Sequence, residues 1–203
     1  MKVSPPRRSH CCSVPELTPQ RRVFFALWPD AAALDALEAA AAAATECCGG
    51  RRIRRESLHL TLAFIGDVSQ TQMDKLLNLV GKLRVEPFDL ILDHLGWWPR
   101  NGIVWAGSRA VPPRQLRLFD EMTRALVAGG FSVDARPYFP HITLLRNGRC
   151  KGLPELKEPI SWGVDAITLV ESSLQATGSN YRVLARWSLD EGYPGEGACM
   201  QKV

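Results

Sequence analysis

Four histidines occur in the 203-residue chain, and two of them share a local pattern. His59-Leu60-Thr61-Leu62 and His141-Ile142-Thr143-Leu144 both read histidine, aliphatic, threonine, leucine, 82 positions apart. With only eight threonines in the chain, a chance repeat at both histidines is improbable. An imidazole titrates near pH ~6.5, so one histidine can take a proton while another gives one. Displacement at phosphorus needs that division of labour, with the two groups on opposite sides of the phosphate. Threonine hydroxyls beside them can donate to the nonbridging oxygens. Two histidines without a carboxylate cluster make a poor metal site, so neither a metal nor a cofactor is expected. His94, in Leu92-Asp93-His94-Leu95, lacks the threonine and reads as structural, and His10 reads as solvated.

Such side chains have to be presented in a row, and a strand does this with its period of two. Residues 57–65 alternate, so Leu58, Leu60, Leu62 and Phe64 face one side and His59 and Thr61 the other. Residues 141–145 alternate likewise, with Ile142 and Leu144 inward and His141 and Thr143 outward. Arg22–Leu27, Phe88–Leu92, Ile103–Ala106, Ala166–Glu171 and Tyr181–Leu189 read as further strands, with Gly178-Ser179-Asn180 as a hairpin turn. Helices are expected from Asp30, a candidate N-cap, to about Glu46, from Ser69 to about Leu83, and from Pro112 to Ala128. Antiparallel or mixed strands with few helices make this an α+β chain, and the repeated strand–helix–strand rhythm points to two similar lobes.

Apolar residues make up 46% of the chain and charged residues 23%, the balance of a globular protein. No apolar run is long enough to span a bilayer, and no secretory signal opens the chain, so a cytoplasmic location is expected. The net charge of +4 is concentrated in residues 1–22, where five basic side chains meet one acidic one. The remaining 181 residues balance 20 against 20, which gives no case for a nonspecific nucleic-acid or membrane coat. Arg51-Arg52-Ile53-Arg54-Arg55 is a local exception, either a solvated loop or the rim of an anionic-ligand site. Six cysteines, Cys11-Cys12, Cys47-Cys48, Cys150 and Cys199, show no C-x-x-C spacing and read as incidental thiols of a reducing compartment. The expected organisation is an extension over 1–20, a bilobal domain over 21–190 and a tail over 191–203.

The paired motifs resemble those of the two-histidine phosphoesterase superfamily. Leu58-His59-Leu60-Thr61-Leu62-Ala63-Phe64-Ile65-Gly66 and Pro140-His141-Ile142-Thr143-Leu144-Leu145-Arg146 resemble in particular the RNA 2′,3′-cyclic phosphodiesterases, also called bacterial 2′–5′ RNA ligases. Arg22–Leu27, Val104-Trp105-Ala106-Gly107 and Leu169-Val170-Glu171-Ser172 extend the resemblance from about Arg21 to Leu189. It implies a bilobal α+β fold, with two antiparallel or mixed sheets flanking a central cleft and helices outside. It also implies metal-independent hydrolysis of an RNA 2′,3′-cyclic phosphate to a 2′-phosphomonoester. His59 would be the proton donor and His141 the acceptor, although the residues alone allow either order. Thr61, Thr143 and Arg146 would bind the phosphate, and Phe25 and Trp105 are candidates to stack on a base. Strict alternation puts Arg146 on the buried face, so the strand must end or bulge before it. The expected partners are RNA 3′ ends or cyclic-phosphate nucleotides, with no membrane, and the expected state is a monomer. The alternatives are small nucleotide cyclic phosphates, 2′–5′ linkages, or a factor that binds or joins RNA ends.

Overall fold

The computed structural model describes residues 20–134, 136–175 and 178–189. The N-terminal extension with His10, Cys11 and Cys12, and the C-terminal tail with Cys199, lie outside them. Three helices pack against one sheet of eight strands, and a separate two-stranded ribbon completes the α+β architecture. Among the described residues no helix is long and apolar enough to cross a membrane.

Two antiparallel blocks of four strands make up the large sheet. In chain order, the first block uses β1 (Arg21–Leu27), β3 (Leu60–Val68), β9 (Ala166–Gln175) and β10 (Gly178–Ser188), arranged β10-β9-β1-β3. The second uses β2 (Arg51–Arg52), β5 (His94–Trp98), β6 (Ile103–Gly107) and β7 (His141–Arg146), arranged β7-β6-β5 with β2 on the other side of β7. The blocks meet at a single backbone pair, Leu60 opposite Ile142, both fully buried. These are the two lobes, and β4 (Phe88–Leu92) pairs with β8 (Ile160–Val164) beside them.

The helices begin and end where local chemistry dictates. The Asp30 carboxylate accepts the Ala33 N–H and starts α1 (Ala31–Cys48). Ser69 and Gln72 form a reciprocal capping box on α2 (Gln70–Val80), which stops three residues short of the expected Leu83, at Gly81. Pro112 precedes α3 (Pro113–Ala128), which stops at Gly129. Their apolar faces and the sheet enclose one continuous core, built on Leu37, Leu76, Leu118, Met122 and Leu126 with Phe25, Leu60 and Ile142.

Three expectations need correction. Gly178, Ser179 and Asn180 are not the hairpin turn; they pair with Gln175, Leu174 and Ser173, so the reversal precedes them. The first histidine motif starts its strand at Leu60 rather than at 57, because Arg55–Ser57 winds into a single 3₁₀ turn that delivers His59 to the strand's entrance. Cys48 and Cys150 are not incidental thiols but a disulfide bridging 102 positions. Cys48 ends α1 and Cys150 follows β7, and α1 packs on β7, a proximity that local spacing cannot reveal. The Arg149 N–H also donates to the Cys48 carbonyl at 2.8 Å. Cys47 stays a free, exposed thiol.

Gly50 makes the turn from α1 into β2 with φ +85°, and a Cβ there would stand 2.7 Å from the Arg146 carbonyl oxygen. Gly49 also has positive φ but open space around it. Gly50→Ala is expected to cost about 2–3 kcal/mol, left-handed strain plus displacement of β7, against about 1–2 kcal/mol for Gly49→Ala. Urea unfolding midpoints of the two variants at unchanged slope check the order.

Candidate active site

The Leu60–Ile142 pair sets each motif one residue either side of the lobe junction. His59 and His141 precede the paired residues and Thr61 and Thr143 follow them, so the two motifs are related by an approximate two-fold. All four side chains line one cleft of about 310 Å³ with Arg146, Arg51, Arg54, Phe24 and Tyr181. No carboxylate lines it among the described residues.

Each strand carries the same irregularity after its threonine. In β7, Trp105 pairs with Thr143 but Val104 pairs with Leu145, so Leu144 is an extra residue. Leu144 and Leu145 are both buried and Arg146 turns out into the cleft, as a bulge requires. In β3, Ala26 pairs with Thr61 but Phe25 with Ala63, leaving Leu62 extra. The residue in the position equivalent to Arg146 is Phe64, 45% exposed, with the Arg22 guanidinium 4.9 Å from its ring centre.

Both imidazoles are fixed in the same way. His59 Nδ1 donates to the Ser57 carbonyl at 2.8 Å and His141 Nδ1 to the Phe139 carbonyl at 2.9 Å, each two residues back. That bond assigns the Nδ1 proton and leaves Nε2 as the working nitrogen of each ring. Aromatic side chains wall the two rings. Phe24, Trp28 and Tyr181 lie 4.9, 5.1 and 5.2 Å from His59. Trp98 and Phe139 lie 4.7 and 6.0 Å from His141.

A profile of the LigT-like phosphoesterases matches residues 27–105. The RNA 2′,3′-cyclic phosphodiesterase of Escherichia coli K12 is 39% identical over 144 residues, covering 70% of this chain and 81% of that protein. The enzyme of the same name from Aeropyrum pernix is 31% identical over 146 residues, covering 66% and 83%. The crystal structure of E. coli LigT complexed with 3′-AMP superposes with a TM-score of 0.78 at 33% identity, covering 85% of this chain and all of that one. The chain belongs to the LigT-like phosphoesterase family.

Not every residue expected at this LigT-like site is there. Phe25 is fully buried on the helix side of β1, with its ring 6.1 Å from Trp187, and cannot stack on a ligand. Alternation gives its place in the cleft to Phe24. Trp105 is only 7% exposed and does not line the cleft; its indole fills the space that Cβ atoms on Gly96 and Gly107 would need, with Trp98 and Phe139 packed on it. It supports the aromatic wall rather than offering a platform. Phe24, Trp28, Tyr181, Trp98 and Phe139 were not anticipated. Both faces of β1 are apolar, so its sequence does not say which one meets the cleft. His94 is structural as expected, its Nδ1 bonded to Asp93 at 2.9 Å.

Burial among these rings disfavours the charged imidazolium and sets the site's electrostatics. It lowers the pKa of His59 to about 4; the Ser57 carbonyl opposes the shift, and the positive charges of His141 and Arg146 add to it. Burial lowers His141 as well, against the pull of the Phe139 carbonyl. An unfolded chain protonates His59 near pH ~6.5, whereas the folded one resists until about pH 4. Between those values the unfolded state binds more protons, so stability is fully present above pH ~6.5 and falls as the pH drops through the window. The size is on the order of 3 kcal/mol. His59→Asn is expected to flatten this acid limb in urea unfolding measured from pH 7 to pH 4.

Proposed function

We propose that this protein hydrolyses RNA 2′,3′-cyclic phosphate ends to 2′-phosphomonoesters, using His59 and His141 as acid and base. One observation supports it above the rest: two imidazoles, each with Nδ1 held by the carbonyl two residues back, share a cleft with two threonines. Water attacks phosphorus as His141 Nε2 takes its proton. The bond from phosphorus to the 3′ oxygen breaks, and His59 Nε2–H gives that oxygen its proton. The products are a 2′-phosphomonoester and a 3′-hydroxyl; His59 ends neutral and His141 protonated, and exchange with solvent resets both. His59 suits the donor role because its imidazolium, destabilised by burial and by neighbouring positive charge, is a stronger acid than an exposed one.

In this reading Thr61 and Thr143, which line the same cleft, donate to the two nonbridging oxygens, and Arg146 balances the charge that grows on them. None of these steps draws on a metal or cofactor. The curated relatives' name, RNA 2′,3′-cyclic phosphodiesterase, supports this substrate class. A cytoplasmic monomer acting on RNA 3′ ends completes the reading.

In excess EDTA, a short RNA ending in a 2′,3′-cyclic phosphate should be converted to the 2′-phosphate. His59→Ala and His141→Ala should each lose about 10²–10⁴-fold in kcat, the usual worth of a positioned proton-transfer group. A loss of less than about tenfold in either variant, or a 3′-phosphate product, refutes the assignment.

The pH profile offers a separate check. Activity falls at low pH as the base protonates and at high pH as the acid deprotonates, which makes kcat/KM bell-shaped. Both imidazole pKa values are depressed in the empty cleft, so its maximum should lie on the acid side of ~6.5. A bound phosphate anion favours the charged imidazoles, so the kcat profile should sit at higher pH than that of kcat/KM.

A further inference from the structure

The basic run is anchored to the site rather than left in a loop. Arg51 pairs with Arg146 across β2 and β7, and the Ile53 N–H donates to the Leu144 carbonyl at 2.8 Å. The run divides by direction. Arg55 turns away to Asp35 and Glu38 on α1, while Arg51 and Arg54 line the cleft. Arg54 has Glu56 at 3.3 Å. Arg51 and Arg146 stand directly opposite each other in an antiparallel ladder, with no carboxylate partner among the described residues. Like charges so placed repel and destabilise the pair. The fold nevertheless holds them there, through the turn at Gly50 and the Cys48–Cys150 bridge.

One cyclic phosphodiester does not account for this arrangement. It brings a single negative charge and two nonbridging oxygens, and the site already offers a threonine to each oxygen and Arg146 to the charge. Each guanidinium adds five donors. Resting on the reading above, we propose that Arg51 binds a second phosphate of the substrate, the 5′-phosphate of the nucleotide whose cyclic phosphate lies between the histidines. Paired residues in such a ladder have Cα atoms about 5 Å apart, and two arginines splayed from there can serve phosphates on either side of one ribose. The preferred substrate is then a terminal nucleotide carrying phosphates on both sides, with a bare nucleoside cyclic phosphate at a disadvantage. Arg54, beside it, widens the same anionic rim.

The test uses product binding, which is readable whether or not turnover occurs. Calorimetry at low salt compares adenosine 2′-monophosphate with adenosine 2′,5′-bisphosphate on the wild type, Arg51→Gln and Arg51→Lys. The bisphosphate should bind at least about tenfold tighter to the wild type, as expected for one further charge-assisted phosphate contact. That advantage should vanish in Arg51→Gln, return in part in Arg51→Lys, and fall with salt, with a slope about one unit smaller in Arg51→Gln. Equal affinities in the wild type, or an advantage that survives Arg51→Gln, overturn the proposal. Weakening of both ligands alike in Arg51→Gln also overturns it, because Arg51 would then serve the first phosphate. A diadenosine chain ending in a 2′-phosphate distinguishes an internal diester of RNA from the monoester of a small nucleotide. An intact bisphosphate advantage without turnover of any cyclic end would sink the RNA-end reading and leave this one standing.

Discussion

The two halves of the sheet touch through one backbone pair, Leu60 with Ile142, and the site exists because of where that pair falls. Had the lobes joined along a long ladder, side chains from β3 and β7 would lie on one continuous surface. A single pair lets the blocks diverge on either side of it and opens a cleft between them. Both residues are fully buried, so a slip of one residue would expose an aliphatic and bury a histidine or a threonine. The burial that fixes the register therefore also fixes the spacing of the motifs. His59 and His141 come from different lobes, which is how they come to share one cleft.

The bulges continue this logic. Regular alternation after Thr61 and Thr143 would have sent the next cleft-facing residue out at Ala63 and Leu145. One extra residue in each strand buries those two and turns Phe64 and Arg146 outward instead. The approximate two-fold that relates the motifs is thus broken at the sixth position, counting each histidine as the first, where one lobe offers an aromatic ring and the other a guanidinium. A symmetric scaffold acquires an asymmetric ligand site from one residue type on each strand. The basic rim at β2 falls on the arginine side, while Phe24 and Tyr181 stand with the ring.

How much of this the sequence reveals depends on whether polarity alternates. In β3 and β7 it does, so the placement of His59, Thr61, His141 and Thr143 on a common face is legible, and even the bulge before Arg146 follows from its charge. In β1 it does not. Residues from Val23 to Leu27 are all buried, Phe24 and Ala26 under the cleft-side aromatics and Phe25 under the helices, and an apolar run buried on both faces carries no parity. Periodicity therefore does not separate Phe25 from Phe24. β2 has two residues, and β5 mixes His94 and Gly96 with two tryptophans, so neither shows a periodic signal. The Cys48–Cys150 bridge depends wholly on tertiary proximity.

Enclosing two histidines in aromatic walls runs against keeping either of them charged. Phe24, Trp28 and Tyr181 exclude water from His59, and Trp98 and Phe139 do the same for His141, which is why the charged form of each imidazole is disfavoured in the empty cleft. Proton donation to a leaving alkoxide needs an imidazolium. In the proposed mechanism the substrate would supply the missing term: a phosphodiester anion between the two rings, screened from water by the same walls, would attract positive charge more strongly than in the open. Arg146 lowers the pKa of His59 yet would stabilise the anion, so on this proposal His59 would be protonated least when the cleft is empty and most when the phosphate is in place. On the proposed mechanism the aromatic walls, which disfavour charge in the empty cleft, would thereby couple protonation of His59 to arrival of the phosphate it serves.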